Sequence, residues 1–95
     1  ECVSLGFMDI YETLPIIKNC NLAVCNDSSF SHIASALKIK TLVLCVDSPI
    51  LYCNYSPQMT TILPDGEVNV THDTLGADKI NPKKIFEMAK KILDL

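Results

Sequence analysis

Apolar positions fall in short blocks with polar turns between them. Cys2 to Leu5 is one such block, closed by Gly6, and reads as a strand. From about Asp9 to Asn19 the pattern turns helical. Asp9 and Glu12 have capping-box spacing, and Leu14, Ile16 and Ile17 supply an apolar stripe. Pro15 falls inside this stretch, so either Thr13 caps a separate main helix or the helix is kinked. Leu22 to Cys25 is continuously apolar, as expected of a strand buried on both faces. It stops abruptly at Asn26-Asp27-Ser28-Ser29, a cluster of turn and N-cap residues.

A second helix is expected over Phe30–Leu37, where Phe30, Ile33, Ala34 and Leu37 recur at helical spacing. Lys38-Ile39-Lys40 is a tight turn into Thr41–Val46, the clearest strand, which Asp47-Ser48-Pro49 ends. A loop with Tyr52 and Tyr55 runs from about Ile50 to Met59. Its tyrosines face an acceptor or, the commoner outcome, pack on their own domain. Thr60–Leu63 is a weaker strand turned by Pro64-Asp65-Gly66, and Glu67–Lys79 is polar and irregular. Asn81-Pro82 starts a helix that reaches about Leu93. Ile85, Phe86, Ala89, Ile92 and Leu93 form its apolar side, with Lys83, Lys84, Glu87, Lys90 and Lys91 opposite. That basic face is a membrane or partner contact or, more commonly, a solvated helix face. The alternation of strands and helices predicts an α/β fold, a partial Rossmann-like parallel sheet with flanking helices.

Composition sharpens this picture. Ninety-five residues allow one domain at most. The net charge of −3 leaves no basic excess to neutralise phosphates, which argues against a nucleic-acid partner. Apolar residues make up 48% of the chain and the mean hydropathy is +0.25, more than a small domain easily hides. A partner surface or self-association is therefore expected. The chain starts at Glu1 without Met, which adds the expectation of a piece of something larger. The five Cys are odd in number and lack CxxC spacing, so they read as reduced thiols in a cytosolic compartment. No metal and no cofactor is expected, because no ligand cluster has the required spacing. The longest apolar run, Thr41–Val46, is far too short to span a membrane.

One place could carry chemistry: the end of the Leu22–Cys25 strand. In open parallel sheets ligands bind beyond the carboxyl ends of the strands. A helix starting there offers free N–H groups and the positive end of a dipole, which suit a phosphate. Ser28 and Ser29 add hydroxyls. Asp27 would repel a phosphate but suits the hydroxyls of a neighbouring sugar. His32, in the first turn, orients the loop or touches the anion. The plainer reading makes Asp27 or Ser28 an N-cap and His32 a satisfied structural histidine.

The stretch from Cys20 to Val46, with Asn26-Asp27-Ser28-Ser29-Phe30-Ser31-His32 at its centre, resembles the signature of the glycosyltransferase family 9 heptosyltransferases. The family pattern is an apolar strand, Asn-Asp-Ser/Thr-Gly-x-x-His, Leu-Ala-Ala-Ala-Leu-Gly, then a Pro-initiated strand. The resemblance extends loosely upstream through Leu5–Asn19 and downstream to Ile80-Asn-Pro-Lys-Lys-Ile. It implies that the chain is an incomplete C-terminal, nucleotide-sugar-binding half-domain of a two-domain GT-B fold. Asp27 then falls on the aspartate that holds the donor sugar, Ser28 and Ser29 on the diphosphate loop, and His32 on the family histidine. Met8, in the Gly6-Phe7-Met8 loop, falls on the segment beside the base. The implied donor is ADP-heptose-like and the acceptor a lipopolysaccharide core, bound through an N-terminal domain that these residues lack. Such an enzyme works in the cytoplasm, with possible peripheral contact at the inner face of the inner membrane. The fragment alone is expected to be inactive and to hold no catalytic residue. Three departures stand out: the family Gly after Asp-Ser/Thr is Ser29, its later Gly and Pro are Lys38 and Lys40, and its Phe-Gly after the next strand is Val46-Asp47. The alternative to a transferase is a non-catalytic α/β interaction or packing module.

Overall fold

Thr41, Leu42 and Val43 are the least exposed consecutive run in the chain, and this follows from their place at the centre of the sheet. We describe residues 2–95 of a computed structural model. Its elements are α1 (Ile10–Lys18), β1 (Ala23–Asn26), α2 (Ser29–Ala36), β2 (Thr41–Leu44), β3 (Met59–Ile62) and α3 (Pro82–Leu93). Short 3-10 turns lie at Ile50–Cys53 and Ala77–Lys79. Among the described residues the strands form one parallel sheet in the order β1-β2-β3. Val24 pairs with Leu42, and Leu42 with Thr60. The expected α/β, partial Rossmann-like arrangement is therefore what the chain adopts.

The core lies under β2 and β3. Val43, Cys45, Cys53, Met59 and Val70 form one buried cluster, with Ile50 and Leu63 packed against it. The helix α2 packs across β1 and β2, where its small Ala34 and Ser35 are buried.

Each helix boundary has a local cause. Asp9 caps α1: its carboxylate accepts from the N–H of Glu12 at 3.0 Å, and the Glu12 carboxylate accepts from the Asp9 N–H at 3.2 Å. Pro15 does not split this helix, which runs unbroken from Ile10 to Lys18. Thr13 does not cap it either, because its hydroxyl donates back to the Ile10 carbonyl at 2.6 Å. Asn81 caps α3 by accepting from the Lys83 N–H at 2.9 Å, with Pro82 at the first position. No residue of α3 is fully buried, and Phe86, placed on its apolar side from the sequence, is 60% exposed beneath the Lys90 ammonium.

Two strand expectations are corrected. Cys2–Leu5 is not a strand: Cys2, Val3 and Ser4 are exposed, and the Ser4 hydroxyl accepts from the Gly6 N–H to start a turn. A four-residue apolar block becomes a strand only when a neighbour pairs its backbone groups. Nor is β1 buried on both faces. It is the edge strand, its residues alternate between half-buried and exposed, and Val24 is 48% exposed. No described helix is long and apolar enough to cross a membrane.

Candidate functional site

The carboxyl end of β1 passes into α2 through Asp27 and Ser28 alone. Ser28 is the N-cap residue, with extended backbone at φ −153° and ψ 174°. The first N–H groups of the helix, on Ser29 and Phe30, have no acceptor within the helix by construction. Ser31 tightens the turn beneath them. Its N–H donates to the Ser28 carbonyl at 3.1 Å, and its buried hydroxyl donates to the same oxygen at 2.7 Å. Ser28 and Ser29 face solvent. The result is an open helix N-terminus beside a half-buried carboxylate.

Asp27 and His32 come together in space. Nε2 of His32 lies 3.6 Å from Oδ1 of Asp27, in range for electrostatic attraction but too long for a hydrogen bond. The other sides of both groups are taken by Ser48, which the sequence marked only as a strand end, and by Tyr55, which packs on its own domain, the commoner of the two outcomes expected for it. The Ser48 hydroxyl donates to Oδ2 of Asp27 at 2.5 Å. Nδ1 of His32 shares a hydrogen bond of 2.5 Å with the Tyr55 hydroxyl, and the two rings stack with centroids 5.5 Å apart. A signal for Ser48 existed. It follows the clearest strand of a parallel sheet, so it had to emerge at the same end as Asp27. Tyr55 carried no such signal, because its position depends on the path of a long loop.

Beneath this row, Cys45 donates its S–H to the Ser48 carbonyl at 3.2 Å. Cys53 lies fully buried in the same cluster. Burial pushes the Cys53 thiol up to about 12, helped by the neighbouring Cys45 and by the charge of Asp27. Burial also raises the thiol of Cys25. Neither is a nucleophile at neutral pH, since the thiolate is the reactive form.

Met8 stands apart from this constellation. It lines a hollow of about 500 Å³ with Leu5, Gly6, Ile10, Thr13, Ile17 and Phe30. A second hollow of about 400 Å³ runs along β1 to Ser28, and Ile17 and Phe30 border both. Met8 thus lies in a hollow of its own, which shares Ile17 and Phe30 with the one that reaches Ser28.

The model of glycosyltransferase family 9 (heptosyltransferase) matches residues 2–87. No curated protein and no solved structure matches the chain.

Proposed function

Since the chain belongs to glycosyltransferase family 9 (heptosyltransferase), we propose that it supplies the donor-binding half of a transferase that moves a sugar from an ADP-heptose-like nucleotide-sugar to a lipopolysaccharide core. The observation that carries this reading is the open N-terminus of α2 beside the half-buried Asp27. The free N–H groups of Ser29 and Phe30, with the Ser28 and Ser29 hydroxyls, suit the donor diphosphate. Asp27 keeps Oδ1 available for sugar hydroxyls, because the Ser48 hydroxyl occupies Oδ2. The hollow lined by Met8, Ile17 and Phe30 offers an apolar bed for a base.

In this reading the acceptor attacks the anomeric carbon and the nucleoside diphosphate leaves. Negative charge grows on the leaving phosphate, and the helix N–H groups are already aimed at it. The acceptor site and the catalytic base belong to an N-terminal GT-B domain outside these residues, so this chain forms an incomplete C-terminal domain that is inactive alone. The setting is cytoplasmic, with peripheral contact at the inner face of the inner membrane and room for self-association.

A second reading is a non-catalytic α/β interaction or packing module. It is favoured by Ser29, which puts a side chain where the family pattern has Gly. That residue is the first of α2 and has no left-handed φ, so the serine costs no backbone strain.

Ligand-observed NMR and calorimetry with ADP, ADP-heptose and UDP-glucose test the choice, on this chain and on a longer one carrying the N-terminal domain. Binding of ADP-heptose that is lost in Asp27→Ala, but kept in a Lys83→Ala surface control, is the expected result. No binding of any nucleotide by the longer protein would sink the transferase reading.

A further inference from the structure

We infer that Ser48 and Tyr55, from the loop after β2, are positioning residues that fix the direction of the Asp27 carboxylate and the tautomer of His32. This rests on the donor-binding reading above, in which Asp27 meets the sugar.

Both residues come from one segment, and each holds a different member of the Asp27–His32 pair. Ser48 is 7% exposed, so little water competes for its bond to Asp27. Its own backbone is held by the Cys45 S–H, so the hydroxyl is presented from a tethered turn. A hydrogen bond to an ionised acceptor is about twice as strong as a neutral one and sets a direction. With Oδ2 fixed in this way, Oδ1 is the oxygen left facing His32 and the open helix end.

The tautomer of His32 follows. A neutral imidazole has one N–H and one bare nitrogen. Oδ1 of Asp27 faces Nε2, and a carboxylate favours a proton on the nitrogen nearest to it. Nδ1 is then the bare nitrogen and accepts from the Tyr55 hydroxyl. His32 gives Nδ1 to Tyr55 and turns Nε2 toward Asp27 across 3.6 Å, beyond hydrogen-bond length. It acts as a spacer that carries the position of Tyr55 to Asp27, while the backbone N–H groups of α2 meet the anion. Two parts of the donor are thus held by two parts of the fold. The diphosphate depends on the start of α2, and the sugar depends on Asp27 as aligned from the loop after β2.

The division gives a test. In the protein, long-range ¹H–¹⁵N spectra of His32 should show a protonated Nε2 and a bare, hydrogen-bonded Nδ1. In Tyr55→Phe the Nδ1 signal should move to that of an unbonded nitrogen. ADP-heptose should bind about tenfold more weakly to Tyr55→Phe and to Ser48→Ala, the loss expected when one hydrogen bond to a charged network is removed. ADP alone, which lacks the sugar, should bind within twofold of the parent. Ser48→Thr, which restores a hydroxyl, should recover the sugar-nucleotide affinity. Equal losses for ADP and ADP-heptose would reduce both residues to general structural supports and overturn the inference. So would a proton on Nδ1 in the parent, or unchanged affinities in both variants. If the parent binds neither ligand, the donor-binding reading fails, and the ¹⁵N spectra alone decide whether Tyr55 sets the tautomer.

Discussion

At the end of β1 the chain needs only Asp27 and Ser28 to pass from strand to helix, whereas after β2 it runs from Thr41–Leu44 all the way to Met59 before it pairs again. The short connection is governed by neighbours in sequence. Ser31 closes it onto Ser28, and nothing distant is needed to shape it. The long connection has no such local logic and is pinned from elsewhere. The Cys45 thiol holds Ser48, the Thr61 hydroxyl donates to the Cys53 carbonyl at 2.8 Å, and the Gly76 N–H donates to the Val46 carbonyl at 2.9 Å. The two connections meet at Asp27 and His32. One presents the groups; the other holds them still.

If that contrast is right, the sharpest way to break the site without touching it is through Gly76. A Cβ there would stand 2.4 Å from Cγ and 2.9 Å from Cβ of Pro64, and 3.1 Å from the Val46 carbonyl. Pro64 is fully buried and cannot swing aside. Gly76→Ala should therefore cost about 3 kcal/mol, at the upper end for overpacking. Urea denaturation followed by circular dichroism reads this directly. A loss below about 1 kcal/mol would mean that the anchor at Val46 is dispensable.

The second test uses alkali. The Cys53 thiol keeps its proton in the folded protein up to about pH 12, against 9.0 for an ordinary thiol. Between those values the unfolded chain binds fewer protons than the folded one, so stability falls as pH rises. Below pH 9 both states hold the proton and this group has no effect. Stability measured from pH 8 to 11 should drop less steeply in Cys53→Ala than in the parent. The two proteins differ in no ionisable group but this thiol, so the difference in slope belongs to Cys53. Parallel slopes would show that the thiol beneath the long loop is not the buried group described here.

The same contrast explains what could be read in the sequence. Asp9 with Glu12, Asn81 with Pro82, and the Phe30–Leu37 periodicity are local signals, and they located three helices to within a residue or two. The grouping of Asp27, Ser28, Ser29 and His32 at one strand–helix passage was legible for the same reason, because strand, turn and helix follow within a few positions. Cys2–Leu5 misled because a strand is a property of a pair, and its composition could not show that it pairs with no strand among the described residues. The same holds for Leu22–Cys25, whose apolar run gave no hint that β1 would be an edge. The contacts of Ser48 and Tyr55 span 21 and 23 positions: the strand order could bring Ser48 to the right end of the sheet but not to Asp27, and the path of the loop that places Tyr55 is shaped only by tertiary packing.

The gentlest test lies at the far end of α2, within the part governed by local rules. Lys38 follows the C-cap Leu37 with φ 66°, in the left-handed region. Its N–H donates to the Ser35 carbonyl, and the Ile39 N–H to that of Ala34, both at 3.0 Å. This pair of bonds is the Schellman closure, which ordinarily takes Gly at this position. A lysine held there loses roughly 1–2 kcal/mol to the clash of its Cβ with the carbonyl. Glycine removes that clash but gives back about 0.5–1 kcal/mol through the freedom of the unfolded chain. Lys38→Gly should therefore stabilise the protein by roughly 0.5–1 kcal/mol, seen as a small rise in melting temperature. Nucleotide-sugar affinity should stay unchanged, because neither the start of α2 nor the loop after β2 is altered. A rise in stability that also weakened ADP-heptose binding would show that the end of α2 and the site are coupled, and that the two connections do not divide the work as their contacts suggest.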